Sequence, residues 1–329
     1  MTQCVSIGQQ YHIAQAKITR VITKTMKRVC NRPIQIDALT ICYEVKHPYH
    51  YNQLCSLDMG ERYDFNSIDD DSICEFRLYR TEGRYFDNVY VIRLWNGTRD
   101  IEWGYLKFNL ARSDEQSNTH TSGLRKAWVS LNNETLYTDD FHYLTYIEQR
   151  LGLEFHNVTS LDLALDTPFS VSPLVKAYAH NKDVTTILNG KRITDRDEDR
   201  PELTYTTSGS LNKQGKYLTV NIKQRNAIKD KSKGITVLTY DKVAEISNAS
   251  DKQYILEHYG NPKRLYRTEV HLNGEDIKNY VTSKDIDYTP LLLFDEATLE
   301  GMFFHFLGSV IRFHSRKNDT SWGHLLGRW

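Results

Sequence analysis

An α+β fold built on a largely antiparallel sheet is predicted by three features of the chain. These are strand-length runs of alternating polarity, a tight-turn dipeptide between two of them, and apolar helical periodicity near both ends. The opening segment places Ile13, Ile18, Val21, Ile22, Met26 and Val29 close to helical spacing, with Lys17, Arg20, Lys24, Lys27, Arg28 and Arg32 around them. No carboxylate occurs before Asp37, so residues 1–34 read as a basic amphipathic helical arm. That spacing fits a surface helix packed on the body as well as one touching DNA.

Asn88 to Trp95 and Thr98 to Leu110 flank Asn96-Gly97, a pair suited to the two central positions of a type I′ turn, and predict a hairpin. Leu124 to Leu131 is a further strand. Asp139 then caps a helix that buries Tyr143, Leu144, Ile147 and Leu151 and is closed by Gly152. From Ser160 to Asp166, Leu161, Leu163 and Leu165 share one side of a strand, and Asp162, Ala164 and Asp166 the other. Ser172-Pro173 starts a helix that continues to Leu188, and a charged loop follows. Strands resume at Tyr217 to Lys223, Ile235 to Lys242 and Leu265 to Leu272, the last before Asn273-Gly274. Glu296 to Ser315 is an apolar helix. The strand-rich blocks on either side of Ser172 are open to being two related sheet-plus-helix halves, although no motif repeats. The resulting division is an arm over 1–34, a sheet-bearing domain over 35–280 and a helical segment over 281–329.

Composition narrows the class. At 329 residues the chain can bury a sizeable core. It has no apolar run near the roughly 18 residues of a membrane span, and no basic start followed by an apolar stretch. A soluble cytoplasmic protein without a membrane partner is expected, and Asn133-Glu134-Thr135 is then a coincidence and not a glycan site. Five cysteines with no Cys-x-x-Cys pair point to reduced thiols. Zinc on His47, His50, Cys42 and Cys55 matches no standard finger spacing. Net charge is zero, yet Lys213, Lys216, Lys223, Arg225, Lys229, Lys231 and Lys233 face only Asp230, whereas acid gathers in 58–75 and 195–202. A phosphate-facing side and a solvated acidic side follow, with the seven cations as candidate DNA contacts.

Several machines are excluded by their missing signatures. The run from Gly209 to Tyr217 has one residue too many for a nucleotide-binding loop and no Ser or Thr after its lysine. Gly-x-Ser-x-Gly, His-Glu-x-x-His and dinucleotide glycine patterns do not occur, so no nucleotide cofactor is expected.

Three polar strand faces remain. Asp162 and Asp166 stand roughly 13 Å apart on one strand, too far to share an ion; Asp162 is the candidate ligand, and Asp166, before Thr167-Pro168, serves a cap or turn. Arg267, Glu269 and His271 share a second face, read either as a solvated ion-pair row or as a site where Glu269 and His271 hold Mg²⁺ or Mn²⁺. Tyr240 and Lys242 project together from the end of a third strand, and Asp241 caps the helix beyond. A phenol of pKa about 10 attacks phosphorus poorly unless a cation stabilises the phenolate.

In order and spacing, these runs resemble the Rep_trans-type family of rolling-circle plasmid replication initiators and the related relaxases of conjugative elements. The likeness runs through Gln35-Ile36-Asp37-Ala38-Leu39-Thr40, Leu161 to Asp166, Leu238-Thr239-Tyr240-Asp241-Lys242-Val243-Ala244-Glu245 and Tyr266-Arg267-Thr268-Glu269-Val270. It implies Tyr240 as nucleophile, Lys242 as its charge partner, Asp162 and Glu269 as carboxylates for a divalent metal, and Arg267 as a phosphate or ion-pair arginine. Ser160 departs from the arginine often found before the family's first strand aspartate, and the neutral net charge is atypical. The implied activity is nicking of origin DNA through a 5′-phosphotyrosyl link that leaves a 3′-hydroxyl primer, with origin DNA, a host helicase and a polymerase as partners and a homodimer as the assembly. A conjugative relaxase, a non-catalytic origin-binding protein and a metal-dependent hydrolytic nuclease are the alternatives.

Overall fold

Period-two alternation builds most of the molecule. The computed structural model describes residues 34–46, 49–64, 75–95, 97–110, 126–172, 184–188, 191–192, 220–223, 235–315, 319–320 and 326. The first half contains β1 (Gln35–Val45), α1 (Tyr49–Cys55), β2 (Arg62–Asp64), β3 (Glu75–Thr81), β4 (Phe86–Trp95), β5 (Asp100–Leu110), β6 (Lys126–Leu131), α2 (Asn133–Tyr137), α3 (Leu144–Arg150) and β7 (Leu153–Thr167). The second half contains β8 (Val184–Leu188), β9 (Lys191–Arg192), β10 (Val220–Lys223), β11 (Thr236–Asp241), α4 (Lys242–Ala249), α5 (Gln253–His258), β12 (Tyr266–Asn273), α6 (Gly274–Ser283), α7 (Glu296–Val310), β13 (Ile311–Ser315) and β14 (Asp319–Thr320).

The α+β class is as expected. Ten strands form one sheet in the order β10-β11-β12-β7-β1-β6-β5-β4-β3-β2, antiparallel at every step. β7 pairs directly with β12, so one sheet runs through both strand-rich blocks. The second sheet is small, ordered β14-β13-β8-β9.

Below the β7 and β12 end of the large sheet lies α7. Its buried Thr298, Leu299, Met302, Phe303, Phe306, Leu307 and Val310 repeat at three and four residues, and Asp295 caps it by accepting from the Ala297 and Thr298 amides. This apolar stripe covers Leu161, Leu163, Leu165, Val237, Val270 and Leu272, all buried. At about 25 cal/mol per Å² of apolar surface, that contact is a main source of stability. The opposite face at this end of the sheet carries the polar rows. α6 packs against β7 closely enough that a Cβ on Gly274 would stand 2.6 Å from the Val158 carbonyl oxygen. A side chain there would push helix and strand apart.

Four local expectations are corrected. The β4–β5 hairpin forms, but Trp95 pairs with Asp100, so its loop is four residues long and not two; Gly97 takes a left-handed φ of 84°. The longer loop lets Arg99 reach the carboxylates of Asp140 and Glu134. Asp139 opens a 3₁₀ turn to Tyr143, and α-helix begins only at Leu144. The helix expected to reach Leu188 is replaced at its end by β8, where Val184, Thr185, Thr186 and Ile187 are β-branched and favour an extended chain; residues 173–183 lie outside the described part. The helix expected to reach Ser315 ends at Val310, because Ile311 and Phe313 bury alternately and pair with β8. The basic arm falls almost wholly outside the described residues. Cys42 and Cys55 are free thiols. Among the described residues no helix is long and apolar enough to cross a membrane.

Candidate active site

Cross-strand register lays out the polar face row by row. Tyr240 on β11 pairs with Arg267 on β12, which pairs with Asp166 on β7. One step along, Leu238, Glu269 and Ala164 form the next row; a further step gives Thr236, His271 and Asp162, and then Ala38 on β1. Side chains two residues apart on one strand share a face, so every residue of these rows looks the same way. β1 adds one irregularity: Ile36 pairs with Leu163 and Ala38 with Asp162, which leaves Asp37 as an extra, bulged residue between them. The bulge turns Asp37 onto the polar face.

The face divides into a sealed half and an open half. In the sealed half Arg267 is 0% exposed. Its Nε and Nη2 donate to the two oxygens of Asp166 at 2.9 and 2.6 Å, Nη1 donates to Asp37, and Nη2 also donates to the Tyr137 hydroxyl at 2.6 Å. Tyr137 in turn donates to Asp37 at 2.6 Å. α2 and α5 close over this cluster, with the Tyr254 hydroxyl donating to Asn133 Oδ1 at 2.7 Å and His258 Nδ1 donating to the Tyr137 carbonyl at 3.0 Å. Burial opposes the charge of Arg267, but Asp166, Tyr137 and Asp37 outweigh it and hold the guanidinium ionised. Burial likewise works against the Asp37 carboxylate, and Arg267, the Tyr137 hydroxyl and Lys242 keep it well below the usual range.

Of the two roles expected for Arg267, phosphate contact and ion pairing, the geometry leaves the second. Four hydrogen bonds hold its guanidinium fully buried under two helices, where no phosphate can reach it. Asp166 is this arginine's bidentate partner and not a turn residue.

The open half is a cleft of about 390 Å³ whose walls include Asp37, Asp162, Tyr240, Lys242, Glu245 and Glu269. The Tyr240 hydroxyl donates to Glu269 Oε2 at 3.1 Å. Burial, then the Glu269 charge, pushes the phenol far above its ordinary pKa, so it is protonated here. Burial and the neighbouring carboxylates of Asp37 and Asp162 push Glu269 up to about 7. Asp241 caps α4 as expected, accepting from the Ala244 amide at 2.9 Å, and so starts the helix at Lys242. Lys242 is 2% exposed; its Nζ lies 5.6 Å from the Tyr240 ring centroid and pairs with Glu245 at 2.8 Å. Burial, with Arg267 nearby, lowers its pKa. The lysine thus sits over the ring with its charge already partnered, a looser link to the phenol oxygen than the expected charge partner.

His271 does not join the cleft wall. Its Nδ1 hydrogen-bonds Asp162, whose bond raises the imidazole pKa, and its side chain is 39% exposed. Among the described residues no group of three or more His, Cys, Asp or Glu side chains is arranged to hold a metal ion. Asp162 and Glu269 nonetheless face the cleft together and offer oxygen donors only, the set that suits a cation completing its shell with water and phosphate.

Lys213, Lys216, Arg225, Lys229, Lys231 and Lys233 lie outside the described residues. Lys223 ends β10, the edge strand beside β11, where it pairs with Thr236. Sequence reasoning missed Tyr137 altogether and met Asp37 and Glu245 only as members of family-like runs, with no role assigned to either. No family model matches the chain, and no curated protein is similar to it.

Proposed function

We propose that this chain is a cytoplasmic DNA-nicking replication initiator that works by tyrosine transesterification. The observation that carries the reading is the convergence of Tyr240, Lys242, Asp162 and Glu269, drawn from three strands and a helix start, in one open cleft. Among the described residues Tyr240 is the only tyrosine lining that wall, and its proton already has an acceptor in Glu269. As the Tyr240 oxygen bonds to phosphorus, Glu269 takes the phenol proton; the P–O3′ bond breaks, and the 3′ oxygen leaves with a proton from water. A 5′-phosphotyrosyl ester and a free 3′-hydroxyl result, and because the ester keeps the bond energy, religation needs no nucleotide. Asp162 and Glu269 are the residues that would hold Mg²⁺ or Mn²⁺, which when bound withdraws charge from the phosphate. Arg267 acts from the sealed half of the same face, holding Asp37 and pairing β12 with β7 through Asp166.

Basic residues on both sides of β10, from Lys213 to Lys233, supply the DNA-facing charge in this reading, and origin DNA, a host helicase and a polymerase are its partners. The test is a suicide oligonucleotide carrying an embedded scissile site. Wild type is expected to form a covalent protein–DNA adduct with Mg²⁺ or Mn²⁺ and Tyr240→Phe none. Cleavage without an adduct would identify a hydrolytic nuclease, and binding without cleavage an origin-binding protein.

A further inference from the structure

A DNA strand entering the cleft brings negative charge to a wall that already holds Asp37, Asp162 and Glu269. Counter-charge from the protein is therefore scarce where it is most needed. Among the described residues three cations are near. Arg267 is buried and saturated by Asp37, Asp166 and Tyr137. Lys242 is buried and paired with Glu245. The third is Lys252, which lines the cleft from the residue preceding α5. It stands at the N-cap position, yet its side chain makes no capping bond there. Among the described residues its ammonium has no ion pair or hydrogen bond, and it is partly exposed.

We infer that Lys252 binds a backbone phosphate of the strand held in the cleft, and so positions the scissile phosphate against Tyr240. The inference rests on the proposed nicking function for its substrate, a DNA single strand. A flexible ammonium on a helix start is suited to this, since it meets a phosphate as a point charge without a fixed fork. The Lys242 and Arg267 charges are spent inside the protein, which among the described residues makes Lys252 the cleft cation with charge to give.

The experiment measures binding of a fluorescein-labelled oligothymidylate by anisotropy across a salt series, beside adduct formation on the suicide oligonucleotide. Lys252→Ala is expected to weaken binding about tenfold at low salt and to reduce the magnitude of the log–log salt slope by about 0.7, the value for one single-strand phosphate contact. Lys252→Arg is expected to restore both, and Lys278→Ala, on the exposed side of α6, to change neither. Adduct formation by Lys252→Ala falls in step with binding. An unchanged slope and affinity in Lys252→Ala overturns the assignment, whether or not wild type forms an adduct. Absence of an adduct in wild type, with the slope change present, overturns the nicking reaction and leaves Lys252 as a phosphate contact. A loss that Lys252→Arg does not restore, or that Lys278→Ala shares, also overturns it.

Discussion

The two halves of one sheet face carry similar side chains and do different work. Arg267 and Asp166 sit one register step from Glu269, and all three project from the same face of the sheet. Over the first pair α2 and α5 close, and the charges neutralise each other out of water. Over Glu269 no helix closes among the described residues, and carboxylates crowd an open cleft that Tyr240 lines. Alternating charge on a strand is therefore not in itself a mark of function; what covers it decides.

Removing the arginine tests the sealed half and carries the largest expected change. Arg267→Met leaves Asp37 and Asp166 buried without their partner and should cost about 3–5 kcal/mol, read as a fall in the chemical-denaturation midpoint. A loss under about 1 kcal/mol would mean that water reaches the cluster, and the distinction between the halves would go with it.

Glu269 tests the open half through pH. A carboxyl whose pKa is about 7 folded and 4.5 unfolded binds more protons when folded across that interval, so stability falls as pH rises from 4.5 to 7. In metal-free buffer the fall should be on the order of 1–3 kcal/mol, and Glu269→Gln should flatten it. A wild-type profile as flat as the variant's would show that Asp37 and Asp162 do not crowd this group.

The smallest effect belongs to His271→Asn. Its pair with Asp162 is partly exposed, and its loss should change stability by about 1 kcal/mol or less in thermal melts. A cost approaching that of Arg267→Met would make the open half as structural as the sealed one.

Much of the fold was legible because period-two runs and caps are local. The β4–β5 hairpin, β7, β11, β12 and the capped helices at Lys242 and Glu296 are written in short stretches of sequence. β8 and β13 were not, since each is fixed by pairing with the other more than a hundred residues away. The site was legible in part. Tyr240, Asp162 and Glu269 came from alternation joined to a family likeness, but Asp37 reaches the face only through a bulge, and no periodicity announces a bulge. Lys252, in Asp251-Lys252-Gln253, has an ordinary surface sequence; only the fold brings it to the cleft that Tyr240 lines. Arg267 had the right face and the wrong exposure, because part of its cover, α2, comes from 130 residues earlier in the chain.

The central claim is that Tyr240 becomes covalently joined to DNA. Protease digestion and mass spectrometry of wild type trapped on the suicide oligonucleotide measure it directly. A nucleotide phosphate on the peptide containing Tyr240, absent from Tyr240→Phe, is the predicted result. A phosphate on another tyrosine, or cleaved DNA with no modified peptide, would contradict it.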